Sequence, residues 1–521
     1  MSAGPRPSTS PRPLAEIAAL AGGRIVSNSS GTGAAADPST QVSGITHDSH
    51  AVRPGDLYAA LPGFRTHGAE YVGPAWEAGA VAVLTDLAGE ERARATGLPV
   101  VVVADPRSVL GAVASFVYGD PSRELTVIGI TGTNGKTTTS YLVDSGFRAD
   151  ERVTGVIGTV GTRIGDDLVP TTRTTPEATD VHALLAVMLE RGVTTVTMEV
   201  SSHALRLGRV DGVHFDVVAF TNLSPDHLDF HSDMDDYFDA KSALFTAERA
   251  SRAVVCVDDI WGERLAALAP MNGLAVTTYA ITRPDADWSG DGAVTVPGGT
   301  VMRGHGSVDG GFVDVPLEVR LPGSFNAANA LGALAILERA GVDPDIAADG
   351  IAGCTGVPGR MERIADPDLA RGLLALVDYA HTPDAVARAI AAAREGTRGQ
   401  LIVVLGAGGD RDPHKRPDMG EAAARGADVV IVTDDNPRSE DPAAIRAAVV
   451  EGALRVDGMQ AGSDGDRRRA IGHAVALAAP GDVVLVLGKG HEQGQEVAGT
   501  VTPFDDRVVL AEALAAGEEA S

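Results

Sequence analysis

The chain has 521 residues, 44% of them hydrophobic and 4% aromatic, with 62 glycines and 29 prolines. At roughly 150 residues per domain it holds about three domains, and Val/Ala runs with abundant glycine suit α/β units better than all-β ones. Its 43 Lys plus Arg against 70 Asp plus Glu, net −27, argue against nucleic acid or an anionic membrane as partner. An anionic ligand must instead be held locally, by helix N-termini, arginines or metal ions.

The opening "MSAGPRPSTSPRPLAEI" lacks the apolar core of a signal peptide, and no apolar run of about 18 residues occurs. With the Ser/Gly/Ala-rich "SNSSGTGAAADPST" (27–40), it reads as a flexible tail over residues 1–43 of a cytoplasmic protein. Residues 44–122 carry short strands ("DLYAAL", "VAVLTD", "LPVVVVAD") and helices ("YVGPAWEAGA", "VLGAVASFVYG"), one small α/β domain ending in the linker "GDPSRE". A second domain, 123–356, begins at "LTVIGI" and continues through "TTVTMEV", "VVAFTNL" and "AVVCVDD". A third, 357–521, contains "LLALVDYA", "QLIVVLGA", "ADVVIVTD" and "DVVLVLGKG". Continuous apolar runs alternating with helices predict parallel, doubly wound sheets. Cys256 and Cys354 lie in apolar or glycine-rich settings without a CxxC partner and are expected to be buried free thiols.

"VIGITGTNGKTTTSYLV" (127–143) reads strand, glycine loop, helix. Backbone N–H groups in such a loop cradle phosphate oxygens; Lys136 would reach the terminal phosphates and the Thr137 hydroxyl a magnesium ion. The strict G-x-x-x-x-G-K-[ST] pattern is not met, because Ile130 stands where its first glycine belongs. An ordinary strand-to-helix turn is the alternative, and Gly-Lys-Thr-Thr after a buried strand speaks against it.

"GITGTNGKTTT" resembles the nucleotide loop of the Mur ligases, ATP-dependent enzymes that add amino acids to the peptidoglycan precursor. "TMEVSSHAL", "TNLSPDHLDFH", "GSFNAANALGA", "GVPGRME", "DYAHTPDA", "GAGGDRDPHKRPDMG", "DDNPRSEDP" and "GKGHE" follow in the family's order over residues 44–507. The resemblance implies an α/β fold of three domains: a small N-terminal domain for the UDP substrate, a central P-loop-type ATPase domain and a C-terminal Rossmann-like domain. It implies ATP as co-substrate and Mg2+ as cofactor. It also implies UDP-MurNAc-L-Ala-D-Glu and meso-diaminopimelate as substrates, with other cell-wall enzymes as further partners.

Residue by residue, it assigns Gly132, Thr133, Asn134, Gly135, Lys136, Thr137, Thr138, Asn326, Arg360, Asp378 and His381 to ATP. Thr137, Glu199 and His227 fall to the metal. Lys241, in "YFDAKSALF", matches a lysine carried as a carbamate that is itself a metal ligand; a surface salt bridge to one of six nearby aspartates is the alternative. Asp233, Asp235 and Asp236 read as a solvated helix face. Lys136, Lys241, Glu199 and His227 form the expected catalytic set. Ser49, Phe64, Arg65, Thr66, Thr174, Thr175, Ser201 and Arg209 match the UDP-substrate positions. His50, His67 and Leu207 depart from the family's arginine, aspartate and glutamine. Arg411, Asp435, Asn436, Pro437, Arg438, Gly488 and Glu492 match the amino-acid site. There an arginine suits the distal carboxylate of diaminopimelate, which lysine lacks. Asn326 as a helix N-cap and Asp378 as a strand-end cap stay open as alternatives.

Overall fold

The computed structural model describes residues 4–26, 38–63, 66–169, 171, 173–228, 230–296, 299–308, 310–364, 372–395, 397–459 and 461–516. Among them the strands form three main sheets, met in chain order.

In the first sheet, Gly44–Thr46, Asp56–Ala59, Ala82–Thr85 and Val100–Val102 run parallel, and Arg24–Val26 closes the edge antiparallel. The tail expected over 1–43 is corrected here. Helix Leu14–Leu20 buries Leu14, Ile17 and Ala18 in this domain's core, an i, i+3, i+4 apolar face. Arg6 donates from Nη1 to the Ile45 carbonyl at 2.9 Å. The first domain therefore starts well before residue 44; residues 27–37 of the low-complexity stretch lie outside the described residues.

The second sheet has eleven strands. Seven run parallel in the order Thr154–Gly158, Thr195–Glu199, Thr126–Thr131, Phe215–Phe220, Ala250–Cys256, Ala275–Ala280, Trp288–Val296. Antiparallel Gly299–Val308 and Gly311–Val319 extend one edge; Gly161–Ile164 and Asp167–Val169 extend the other. Helices cover both faces. Val181, Leu185 and Met188 of Ala178–Glu190 pack on one; Leu142 and Phe147 of Lys136–Ala149, with Leu331 and Leu334 of Phe325–Arg339, pack on the other. This two-sided burial explains why these parallel strands read as unbroken apolar runs.

The third sheet orders Glu362–Ile364, Leu374–Asp378, Val483–Leu487, Leu401–Ala407, Val429–Asp434 and Ala461–Asp464, all parallel except the first. Cys256 and Cys354 are free and buried. Among the described residues no helix is long and apolar enough to cross a membrane.

Candidate active site

A cleft of about 460 Å3 opens at the carboxyl ends of the second-sheet strands and is closed from the far side by residues of the third domain. Open α/β sheets place ligands at this edge. Thr133 to Thr138, Thr174, Glu199, Ser201, His227, Asn326, Arg360, Asp378 and His381 all line it.

The loop between Thr126–Thr131 and Lys136–Ala149 needs its glycines. Gly132 and Gly135 have φ of +146° and +86°, and a Cβ on Gly135 would stand 2.4 Å from Asn329 Oδ1. Any side chain there would fill the cradle, which fits a loop that wraps phosphate in backbone N–H groups. Lys136 folds back and donates to the carbonyls of Gly132 (2.8 Å) and Thr133 (2.9 Å). Burial pushes its pKa down, and Glu199 and Asp226 oppose that.

Glu199 ends its strand with 1% of its surface exposed. It accepts from Thr137 Oγ1 at 2.9 Å, from Thr159 N at 2.8 Å and from Thr159 Oγ1 at 3.0 Å. Arg360, arriving from the third-domain side, donates to Thr137 Oγ1 at 3.3 Å and lies over the Tyr379 ring. His227 has φ +55° and faces the cleft. Surrounding protein pushes its pKa down to about 4; Asp226 opposes this, while His203, Lys136 and Lys241 reinforce it. Among the described residues no three His, Cys, Asp or Glu side chains gather as a metal cage. The donors expected at the metal are the Glu199 carboxylate, the His227 imidazole and the Thr137 hydroxyl, all lining the cleft. Such a sparse, oxygen-based set fits magnesium, which keeps waters and phosphate oxygens in its shell.

Lys241 lies behind the loop, on helix Met234–Ser242, with 1% exposure. Its Nζ donates to the Gly132 carbonyl at 2.9 Å and sits 4.5 Å from the Tyr237 ring centroid. Two ammonium groups thus converge on one carbonyl. Burial, then Lys136, drive the pKa of Lys241 well below the ordinary lysine value. Its contacts are those of a buried side chain, not of a surface salt bridge. Of the neighbouring aspartates, Asp233 caps the helix by accepting from Asp236 N at 2.8 Å, Asp235 pairs with Arg264, and Asp236 pairs with Arg206.

On the nucleotide side, Asn326 lies inside helix Phe325–Arg339 and not at its cap. Its amide donates to Pro322 O at 2.8 Å, and its Oδ1 accepts from Asn329 at 3.0 Å. Asp378 does act as a strand-end cap, accepting from Met361 N (2.7 Å) and Ala380 N (2.8 Å). His381 bonds through Nδ1 to the Tyr379 carbonyl at 2.8 Å and lines the cleft.

The residues expected at the UDP substrate divide. Thr175 Oγ1 donates to Glu199 O at 2.8 Å, and Ser201 caps its helix. Arg209 donates to Thr175 O at 3.3 Å and pairs through Nε with Glu177 at 2.9 Å. Ser49 and Thr66 belong to the first domain; Phe64 and Arg65 lie outside the described residues. His50 is exposed beside Asp48. His67 does a capping aspartate's work: Nδ1 accepts from Ala69 N at 3.0 Å while Nε2 meets Asp86 at 3.1 Å. Leu207 contributes its carbonyl to Arg107 Nη1 at 3.4 Å.

The residues expected at the amino-acid site form a separate cluster on the third sheet's carboxyl edge. Asn436 donates to Glu492 at 2.7 Å and accepts from Glu496 N at 2.9 Å. Arg438, φ +52°, donates to Gly409 O at 2.6 Å. Asp435 is buried, Gly488 packs against its carboxylate, Pro437 lies over Gly409, and Arg411 is exposed.

Sequence reasoning missed several members. Thr159 holds Glu199 and meets Thr174 at 3.1 Å. Glu177 gathers Arg107, Arg173 and Arg209. Lys489, fully buried, links Asn436 and Glu492 at 3.2 Å each. Only Lys489 had a signal, its place inside "GKGHE".

These motifs fall on three domains that match known models over most of the chain. Residues 41–118 match the Mur ligase family catalytic domain, 130–337 the Mur ligase middle domain and 359–490 the Mur ligase glutamate ligase domain. The chain belongs to the Mur ligase family. It is 53% identical to the UDP-N-acetylmuramoyl-L-alanyl-D-glutamate--2,6-diaminopimelate ligase of Streptomyces avermitilis, covering 98% of both chains. It is 48% identical to that of Corynebacterium glutamicum, over 96% of this chain and 97% of the relative. A solved structure of a ligase of the same name aligns with TM-score 0.67 at 31% identity, covering 98% of this Mur ligase and all of that chain. MurF of Acinetobacter baumannii aligns at 0.64 with 18% identity, a likeness of fold, over 99% of this chain and all of that one.

Proposed function

We propose that this Mur ligase joins meso-diaminopimelate to the D-Glu of UDP-N-acetylmuramoyl-L-alanyl-D-glutamate, consuming ATP, in the cytoplasmic stage of peptidoglycan synthesis. The observation that carries the amino-acid choice is the cluster around Arg438. One guanidinium, bonded to Gly409 O and 3.7 Å from Glu496, on the same strand-end loop as the acid Asp435, suits a distal centre bearing both a carboxylate and an ammonium. Near-full-length likeness to ligases named for that reaction supports the same reading.

The chemistry follows from charge. A carboxylate oxygen of D-Glu attacks the γ-phosphorus of ATP, the bond to ADP breaks, and an acyl phosphate forms. The amine of diaminopimelate then attacks the acyl carbon, phosphate leaves, and the nitrogen loses a proton. Every partner in the first step is anionic, so positioning and neutralisation carry the catalysis. The loop from Gly132 to Thr138 holds the phosphates, and Lys136 turns from its own loop carbonyls to the terminal phosphate. Asn326, Asp378 and His381 line the nucleotide side, and Arg360 closes over Thr137. Thr174, Thr175, Ser201 and Arg209 orient the acceptor; Ser49 and residues 64–66 take its uridine end. Thr137, Glu199 and His227 are the residues that would hold magnesium, which when bound would supply charge neutralisation for the phosphoryl transfer.

Lys241 completes this scheme as a carbamate. The lowered pKa favours its neutral amine, the form that attacks CO2; a C–N bond forms and a proton leaves. The product replaces a second cation behind the loop with an anion that can ligate metal or orient Lys136.

The test is a panel of amino acids with ATP, magnesium and the UDP-dipeptide, reading phosphate release. Diaminopimelate should support turnover and lysine should lose most of the rate. Equal use of the two overturns the assignment of Arg438.

A further inference from the structure

The third sheet contains a buried charge that the chemistry above does not use. Arg467 opens helix Arg467–Leu477, and its side chain and that of Asp506 are both 0% exposed. The fork meets the carboxylate at both ends, Nε to Oδ1 and Nη2 to Oδ2, each at 2.7 Å. The remaining bonds go to main-chain carbonyls: Nη1 to Asp434 at 3.3 Å and Nη2 to Leu487 at 2.9 Å.

Those carbonyls end the strands Val429–Asp434 and Val483–Leu487. Between the two strands lies Leu401–Ala407, and a Cβ on its Gly406 would stand 2.9 Å from Arg467 Nη1. One guanidinium therefore lies across the ends of three adjacent strands. The loops leaving them carry Arg411, then Asp435 to Arg438, then Gly488 and Glu492. That is the whole amino-acid cluster. A buried ion pair is weak evidence for stability, since well-packed apolar residues of similar volume often serve as well. Its bonds to two strand ends have a more specific use.

We propose that Arg467, held by Asp506, is a positioning pair for the incoming amino acid: it sets the spacing of the three strand ends, and through them of Arg438 relative to Asp435 and Glu492. This rests on the amino-acid site assigned above. Arg467 need not touch the substrate; it acts by holding backbone, as supporting residues do around a preorganised site.

The test uses the full-length enzyme with the apolar double variant Arg467→Met/Asp506→Leu, which removes both charges together, and with Arg467→Lys, which keeps charge but loses the fork. The double variant should melt within a few degrees of wild type. Its KM for the amino acid should rise about tenfold or more, with KM for ATP and for the UDP-dipeptide within about twofold. Arg467→Lys should fall between it and wild type. Amide hydrogen exchange in 408–411, 435–438 and 488–492 should quicken in the double variant, whichever amino acid is the substrate. A folded double variant with wild-type amino-acid KM and wild-type exchange in these loops overturns the proposal. If the double variant does not fold, Arg467→Lys is judged by the same two measurements. Refusal of diaminopimelate by the wild-type enzyme would sink the substrate assignment alone, because the exchange experiment decides the positioning role separately.

Discussion

Lys241 occupies a place where an ammonium is hard to keep. It is buried, and it shares the Gly132 carbonyl with Lys136. Placing two cations there costs solvation and Coulomb energy that Asp226 offsets only in part, so the lysine is held toward its neutral form. Lys241→Ala is expected to lower kcat by at least about a hundredfold while the fold persists, since the side chain acts on charge at the loop. Formate or acetate added to this variant should restore part of the rate, measured as phosphate release. A variant with wild-type turnover would show that no anion is needed there. The sequence revealed this lysine through its motif but not its burial, which depends on Tyr237 and on a loop more than a hundred residues earlier. His67 makes a similar point. Its identity departs from the family pattern, yet the ring nitrogen does the capping a carboxylate oxygen would do.

At the scale of elements, the phosphate loop was legible because its conformation demands particular residues. Gly135→Ala must place a Cβ against Asn329 at a positive φ, combining backbone strain with a steric overlap of order 1–3 kcal/mol. The expected result is a rise of about tenfold or more in KM for ATP with smaller changes for the other substrates, read by steady-state kinetics. Buried parallel strands such as Leu401–Ala407 were equally legible, because all seven residues are covered and read as one apolar run. The strands Trp288–Val296, Gly299–Val308 and Gly311–Val319, at one end of the second sheet, were not. Burial along them is irregular, alternating only in parts of Gly299–Val308 and Gly311–Val319, and glycine and charge interrupt the runs, so no clean period-two pattern marks them. Helix Leu14–Leu20 was hidden by its Pro/Ser-rich neighbours, although its apolar spacing was present.

The whole molecule depends on how its first two domains dock. His182, on helix Ala178–Glu190 of the second domain, is fully buried and bonds through Nε2 to the Asp211 carbonyl at 2.9 Å. On that same helix, Ala183 and Ala186 join the first domain's core. Burial pushes the His182 pKa down to about 4, whereas its ordinary value is 6.5. A histidine kept neutral in the fold but free to protonate when unfolded stabilises fully above pH 6.5, and loses that contribution as pH falls toward 4. The loss approaches about 3 kcal/mol at most. Urea unfolding at pH 7 and pH 5 should show a steeper drop for wild type than for His182→Gln; parallel drops would show that the ring titrates normally.

The sequence by itself determined the glycine loop between strand and helix and the order of the three α/β domains, and it carried the motif residues expected at the nucleotide and amino-acid sites. These depend on local rules: glycine where φ is positive, apolar runs where both faces are covered, and charged groups at strand ends. Only the tertiary structure decided which charges are buried and what they face. It put Lys241 beside Lys136, gathered Arg107, Arg173 and Arg209 around Glu177, and laid Arg467 across three strand ends. The reason is physical: the strength of a charge depends on its solvent and its neighbours, and both are set by segments far apart in the chain.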